Sequence, residues 1–410
     1  MQILDANDHK IFPQTSTAKS GFAPAALQRL DAVLQREVDE GNLPGAVILL
    51  AHGDTIAHQK AFGKQRVDDS TPMSIDSIFR IYSMTKPIIS VAIMMLVEQG
   101  RLLISQPVSH FLPEFANMQV AREQVALDGS RSMTMEPCAR EMTVQDLLRH
   151  TAGLTYGFFG GPTLVKAAYR SAGVETGKFS NADLVRQLAA LPLAYQPGTV
   201  WEYSRATDVL GALLERVWGQ PLDIILREQI FLPLKMVDTG FWVEPSQQHR
   251  IAEPFAVDPV TQQAVKVIDV RQPPVFLSGG GGLVSTAMDY LRFARMLRNG
   301  GALDDVRLLS RKMVQFMTSD HLVGMPMGTS GPAYLPGAGY GFGLGFAVRN
   351  CVGASATPGS VGDFHWSGLA GTYFWIDPQE DIIGIWMMQA PEQRDKFRQM
   401  VRNLVHASLV

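Results

Sequence analysis

Apolar positions recur on two different periods along this chain, and the changes of period mark out its elements. Over 24–40 they fall at Leu27, Leu30, Val33, Leu34 and Val38, the spacing of a helix with one buried face. Ala46-Val47-Ile48-Leu49-Leu50, a Gly53-Asp54 turn and Thr55-Ile56-Ala57-His58 then predict a β-hairpin. The run from Ile88 to Val97 is apolar on nearly every face, as expected of a helix buried in a core. Pro87 suits its first turn and Gly100 its end. Near the C-terminus, the stretches 344–348, 372–376 and 382–388 predict strands. Phe397, Val401, Leu404 and Val405 follow at helical spacing.

Both ends of the chain therefore supply strand-plus-helix material, and the middle is mostly helix and loop. The simplest arrangement is an α+β fold, with one antiparallel sheet built from both termini and covered by the terminal helices. Residues 1–107 and 281–410 form its two halves, and 108–280 are an inserted, mainly helical region. A cleft at the seam is the expected place for a site. The polar, irregular stretches 115–145 and 320–340 are expected as surface loops, and they and 156–180 are expected to shape the pocket.

Bulk properties narrow the choice of function. The 410 residues carry a net charge of −3, which points to neither nucleic acid nor an acidic membrane surface as a partner. The longest apolar run is about ten residues, against the roughly 20 a spanning helix needs. The N-terminal stretch lacks a basic segment followed by an apolar core, so a cytoplasmic location is expected. Cys138 and Cys351 are expected as two reduced thiols. None of the nine histidines has metal-ligand spacing, and there is no C-x-x-C or Walker loop, so no metal or cofactor is implied.

The chemistry-bearing stretch is Ser83-Met84-Thr85-Lys86, which places a hydroxyl and an amine about one helical turn apart where the buried helix begins. A serine hydroxyl needs a base to become a nucleophile, and a neutral lysine amine can be that base. The same spacing recurs at Ser16-Thr17-Ala18-Lys19, in a polar stretch with no helix behind it. Taken alone, Ser83 also reads as a helix cap. Tyr203 lies between a Pro197-Gly198 turn and a predicted helix from Asp208, a placement from which a phenol can share a proton in a cleft. Trp366-Ser367-Gly368 ends a strand with small residues that permit close backbone approach. His365 invites a catalytic-triad reading, but no serine is framed as G-x-S-x-G, which also argues against an α/β-hydrolase.

The order of these motifs resembles the serine β-lactamase-like superfamily, most closely the family VIII carboxylesterases that look like class C β-lactamases. Leu147-Leu148-Arg149-His150-Thr151-Ala152-Gly153-Leu154, Pro197-Gly198 ahead of Tyr203, and Ser278-Gly279-Gly280-Gly281-Gly282-Leu283-Val284-Ser285-Thr286 are similar to further segments of that family. The glycine run is followed by Thr286 and Asp289, a plausible helix cap. The resemblance implies Ser83 as the acylated nucleophile, Lys86 as its base and Tyr203 as a proton carrier. It implies the backbone N–H groups of Ser83 and Leu369 as an oxyanion hole, and Trp366, Ser367 and Gly368 as substrate-binding residues.

Two departures from the β-lactamase pattern shift the expected substrate. Tyr203-Ser204-Arg205 stands where class C enzymes carry Tyr-Asn-x, and Trp366-Ser367-Gly368 stands in place of Lys-Thr-Gly. An indole for the lysine removes the cation that holds a substrate carboxylate. The expectation is a carboxylesterase acting on small, short-chain acyl esters, with Lys86 made neutral by burial. A weak β-lactamase, a D-amino-acid peptidase or amidase, and an acyltransferase share the same machinery. A silent ligand-binding member of the fold is the rival from another class. Acyl-chain length and oligomeric state are not specified by these residues.

Overall fold

A computed structural model describes residues 21–325 and 334–410 of the protein. Its centre is an eight-stranded sheet, antiparallel throughout, in the order β4-β5-β6-β7-β8-β1-β2-β3. The strands are β1 (Gly45–His52), β2 (Thr55–Arg66), β3 (Thr71–Pro72), β4 (Tyr340–Phe342), β5 (Ala347–Arg349), β6 (Phe364–Ser367), β7 (Tyr373–Asp377) and β8 (Ile382–Met388). The last strand thus lies beside the first, with Ile48 opposite Trp386.

Period-two alternation divides the sheet between two cores. Val47 and Leu49 of β1, with Ile383, Ile385 and Met387 of β8, enter the larger one. Ala46, Ile48 and Leu50, with Trp386 and Met388, face the smaller one. That second core is closed by Leu27, Leu30 and Leu34 of helix α1 (Pro24–Asp39) and by Phe397, Val401 and Val405 of the C-terminal helix. Each such buried side chain contributes about 1.5–3 kcal/mol. The sheet from both termini and its two covering helices are as the spacing predicts.

Helix α2 (Thr85–Glu98) is buried all round, and Gly100 beyond its end adopts φ +68°. It packs against helix α3 (Ala206–Trp218). Residues of β1, α2 and α3 belong to one continuous apolar cluster that crosses the seam between the sheet and the middle of the chain. Helix α4 (Ala287–Arg298) lies against β8, and α5 (Arg394–His406) ends the chain's regular structure. Thr286 caps α4 as expected, its hydroxyl accepting from the Asp289 N–H at 3.2 Å.

Two stretches differ from the loops expected of them. Gln119–Val125 and Arg131–Pro137 pair as a regular hairpin, with Gly129 at φ +81° in the turn. Its exposed positions are mostly polar, so it lacks the apolar alternation that would announce it. Within 156–180, Leu164–Ser171 is a helix whose N-terminus is capped by Thr163. Ser16 and residues 326–333 of the 320–340 stretch lie outside the described residues. Cys138 and Cys351 are both free. No helix among the described residues is long and apolar enough to cross a membrane.

Candidate active site

The chain enters the site through Phe79–Arg80, which pairs with Val284–Ser285. A single 3₁₀ turn, Tyr82–Met84, then leads into α2. Tyr82 sits at φ +44°, a left-handed conformation that costs a non-glycine residue about 1–3 kcal/mol. Its surroundings over-determine it. The Ile81 N–H donates to Leu283 O at 3.0 Å, the Tyr82 hydroxyl accepts from the Ile268 N–H at 3.0 Å, and Tyr290 donates to Met84 O at 2.9 Å. Ser83 does not cap α2, since the capping position is Met84. The Ser83 hydroxyl instead meets the Lys86 Nζ at 3.2 Å.

Lys86 is 1% exposed. Its Nζ also donates to the Gly280 carbonyl at 2.6 Å and to the Tyr156 hydroxyl at 3.2 Å, and lies 4.6 Å from the centre of the Tyr203 ring. Burial pushes this amine down, but the Tyr156 and Tyr203 phenols and the Asp208 carboxylate more than offset it. Together these groups push the amine above its ordinary range, whereas burial alone, the basis of the expectation of a neutral lysine, would push it down. Burial pushes the Tyr156 phenol up as well.

Asp208, in the first turn of α3, fixes the carbonyl that Lys86 meets. Its carboxylate accepts from Gly280 N–H at 2.8 Å and from Ser278 Oγ at 2.6 Å, and Arg205 pairs with it at 3.2 Å. A Cβ on Gly280 would lie 2.7 Å from that carboxylate. The glycine run is thus a close-packing device that turns a backbone oxygen toward the amine.

Tyr203 is 5% exposed within an aromatic cage. Its ring stacks on Trp201 and contacts Tyr156, Phe159, Trp366 and His150, with centroids 4.9–6.0 Å away. His150 is held well below its ordinary pKa by burial and by Lys86, so it packs as a neutral ring. A buried Lys166–Glu202 pair at 3.1 Å ties the Tyr156–Phe159 segment to the stretch before Tyr203, with Lys166 also donating to Phe159 O at 2.6 Å.

The end of β6 closes the other side. Gly368 lies so near the turn that carries Ser83 that a Cβ there would sit 2.2 Å from Thr372 Oγ1 and 2.4 Å from Ile81 O. Among the described residues, no backbone carbonyl accepts from the N–H groups of Ser83 or Leu369. Ser83, Phe159, Tyr203, Trp366 and Leu369 border one cleft of about 420 Å³. His365 borders it too, but stacks edge-on with Tyr340 and Tyr373 and makes no hydrogen bond to Ser83. Ser83, Lys86, Tyr203 and the 366–369 turn, dispersed in sequence, are thus brought together.

Comparison with known proteins decides the family. The model of the family described as Beta-lactamase matches residues 30–407. The chain belongs to the beta-lactamase family. Protein Rv1367c of Mycobacterium tuberculosis is 37% identical over 362 residues, covering 86% of this chain and 88% of that protein. Esterase EstB of Burkholderia gladioli is 32% identical over 381 residues, covering 88% and 90%. The structure titled "EstCE1, a hydrolase with promiscuous acyltransferase activity" superposes with a TM-score of 0.77 at 27% identity, covering 95% of this chain and all of that one. The α+β fold and the likeness to family VIII esterases hold.

Within this beta-lactamase family site, three groups escaped the motif reading: Tyr156, Asp208 and the Gly280 carbonyl. Tyr156 lies two residues beyond the Leu147–Leu154 segment, and that nearness is the one sequence feature that sets it apart from other loop tyrosines. An acid in the first turn of the otherwise apolar α3 was the signal for Asp208. Nothing in the sequence marks a particular carbonyl. Among the described residues, no cluster of three or more His, Cys, Asp or Glu could hold a metal ion.

Proposed function

We propose that the protein is a serine carboxylesterase that hydrolyses short-chain acyl esters through an acyl-enzyme on Ser83. The observation that carries the proposal is the 3.2 Å contact between Ser83 Oγ and a fully buried Lys86 Nζ beside Tyr203. The likeness to Esterase EstB supports ester chemistry in particular, and the likeness to the hydrolase EstCE1 is consistent with it. Ser83 Oγ attacks the ester carbonyl while its proton passes to a neutral Lys86, formed from the resting ammonium by loss of a proton. The tetrahedral oxyanion is held by the N–H groups of Ser83 and Leu369, which meet no backbone acceptor among the described residues. Tyr203 protonates the leaving alcohol and takes back a proton from the Lys86 ammonium; water then attacks the acyl-enzyme, its proton passing through the same groups to Ser83 Oγ, and the acid is released.

Trp366 supports neutral esters over penicillin-like acids, since its indole stands where a lysine would hold a carboxylate. Acyl transfer to an alcohol is the second reading, favoured by the likeness to EstCE1 and by a cleft of about 420 Å³ able to admit an acceptor. It needs only an alcohol in place of water at the second step. Purified Ser83→Ala protein, assayed on p-nitrophenyl acetate and butyrate, is expected to lose at least about 1000-fold in kcat. Wild-type activity in that variant would end the assignment. Added short alcohols would yield transesterified product if the second reading holds.

A further inference from the structure

The guanidinium of Arg398 reaches the site from α5 and bonds the peptide that ends β6. Its Nη2 donates to the Gly368 carbonyl, which also accepts from the Gly371 N–H at 3.1 Å. The other end of that same peptide is the Leu369 N–H. The neighbouring backbone is held as well: the Gly368 N–H, on the preceding peptide, donates to Thr372 O at 2.8 Å, and Thr372 Oγ1 donates to Ile81 O at 3.3 Å. Arg398 lines the cleft beside Leu369, with its side chain 19% exposed. Among the described residues, its carboxylate partner is Asp395, 3.5 Å away and 72% exposed. Its Nε is buried without a partner. Burial with so little pairing lowers the guanidinium to about 10, which leaves it charged at neutral pH.

We propose that Arg398 is a positioning residue for ester hydrolysis, polarising the Gly368–Leu369 peptide so that its N–H binds the oxyanion more strongly. This rests on the oxyanion hole described above. A cation on the carbonyl draws electron density through the amide and leaves the N–H more positive. Hydrogen bonds at the two ends of one peptide strengthen each other in this way. The gain appears only when negative charge forms on the substrate oxygen, so it belongs to the transition state and not to ground-state binding. Arg398 touches no reacting atom.

The test compares Arg398→Met and Arg398→Lys with wild type, using p-nitrophenyl butyrate and an alkyl boronic acid that forms a tetrahedral adduct on a serine. In Arg398→Met, kcat is expected to fall roughly 10- to 100-fold with KM within twofold. Boronate affinity should fall in parallel, and Arg398→Lys should recover part of both. Unchanged kcat, a loss confined to KM, or a kcat loss that boronate affinity does not follow would each overturn the proposal. If Arg398→Met does not fold, the Arg398→Lys boronate affinity decides, and a value equal to wild type with reduced kcat counts against it. A wild-type protein inert toward esters, or an active Ser83→Ala, would remove the parent reading instead.

Discussion

The consequence of a single buried amine dominates at the residue scale. The Tyr156 and Tyr203 phenols and the Asp208 carboxylate push Lys86 above its ordinary range, while the proposed attack needs the amine neutral. The neutral fraction then grows about tenfold per pH unit well below the raised pKa. We expect kcat/KM on a p-nitrophenyl ester, corrected for buffer hydrolysis, to climb with a slope near one from pH 6.5 to 9. A plateau reached near pH 7 would show that the attacking serine does not rely on that amine. Ser83, Lys86 and Tyr203 were readable because their chemistry and order are distinctive. Asp208 and Tyr156 were not, because an acid in a helix's first turn and a tyrosine in a loop are ordinary features. Only the fold brings them to the amine. Even for Lys86, the sequence located the residue but not its charge, which depends on neighbours far along the chain.

Elements that carry apolar periodicity were legible, and those without it were not. Helices α1, α2 and α5 and strands β1, β7 and β8 lie where the spacing puts them, because each buries a face. The Gln119–Val125/Arg131–Pro137 hairpin was missed because its backbone pairing is complete while few of its side chains reach a core. The start of α4 carries a prediction of its own. Asp289, 1% exposed, is pushed up to about 7 by burial and by Asp238, although Thr239 Oγ1 donates to it at 2.8 Å. An unfolded aspartate ionises near 3.9. Between about pH 4 and 7 the unfolded chain therefore releases a proton that the native protein keeps. The stability present below that window is lost as pH rises through it, by about 4 kcal/mol in all. Urea midpoints of wild type and Asp289→Asn at pH 5 and pH 8 check this. The balance should shift toward the variant at pH 8, and an equal difference at both values would contradict it.

For the whole molecule, the sheet from two termini was predictable, but the depth of its union with the middle of the chain was not. The spacing suggested an inserted region with a boundary near residues 108 and 280. Elements on both sides of that boundary share one large core, since α2 and α3 pack together and join one cluster with β1 and β8. Such continuity makes separate melting of the two regions unfavourable. Calorimetry is expected to give one transition whose van't Hoff and calorimetric enthalpies agree. Two resolved transitions would mean that the seam is a true domain boundary.

The pairing of the first strand with the last also bears on how the protein is made. Ile48 meets Trp386 only after nearly the whole chain has left the ribosome. At about 5–20 residues per second, the apolar edge of the N-terminal hairpin waits some tens of seconds for its partner. A contact this distant in sequence also slows folding once synthesis ends. The nascent chain thus carries an open, apolar β edge through most of its synthesis, the kind of surface on which incomplete chains aggregate.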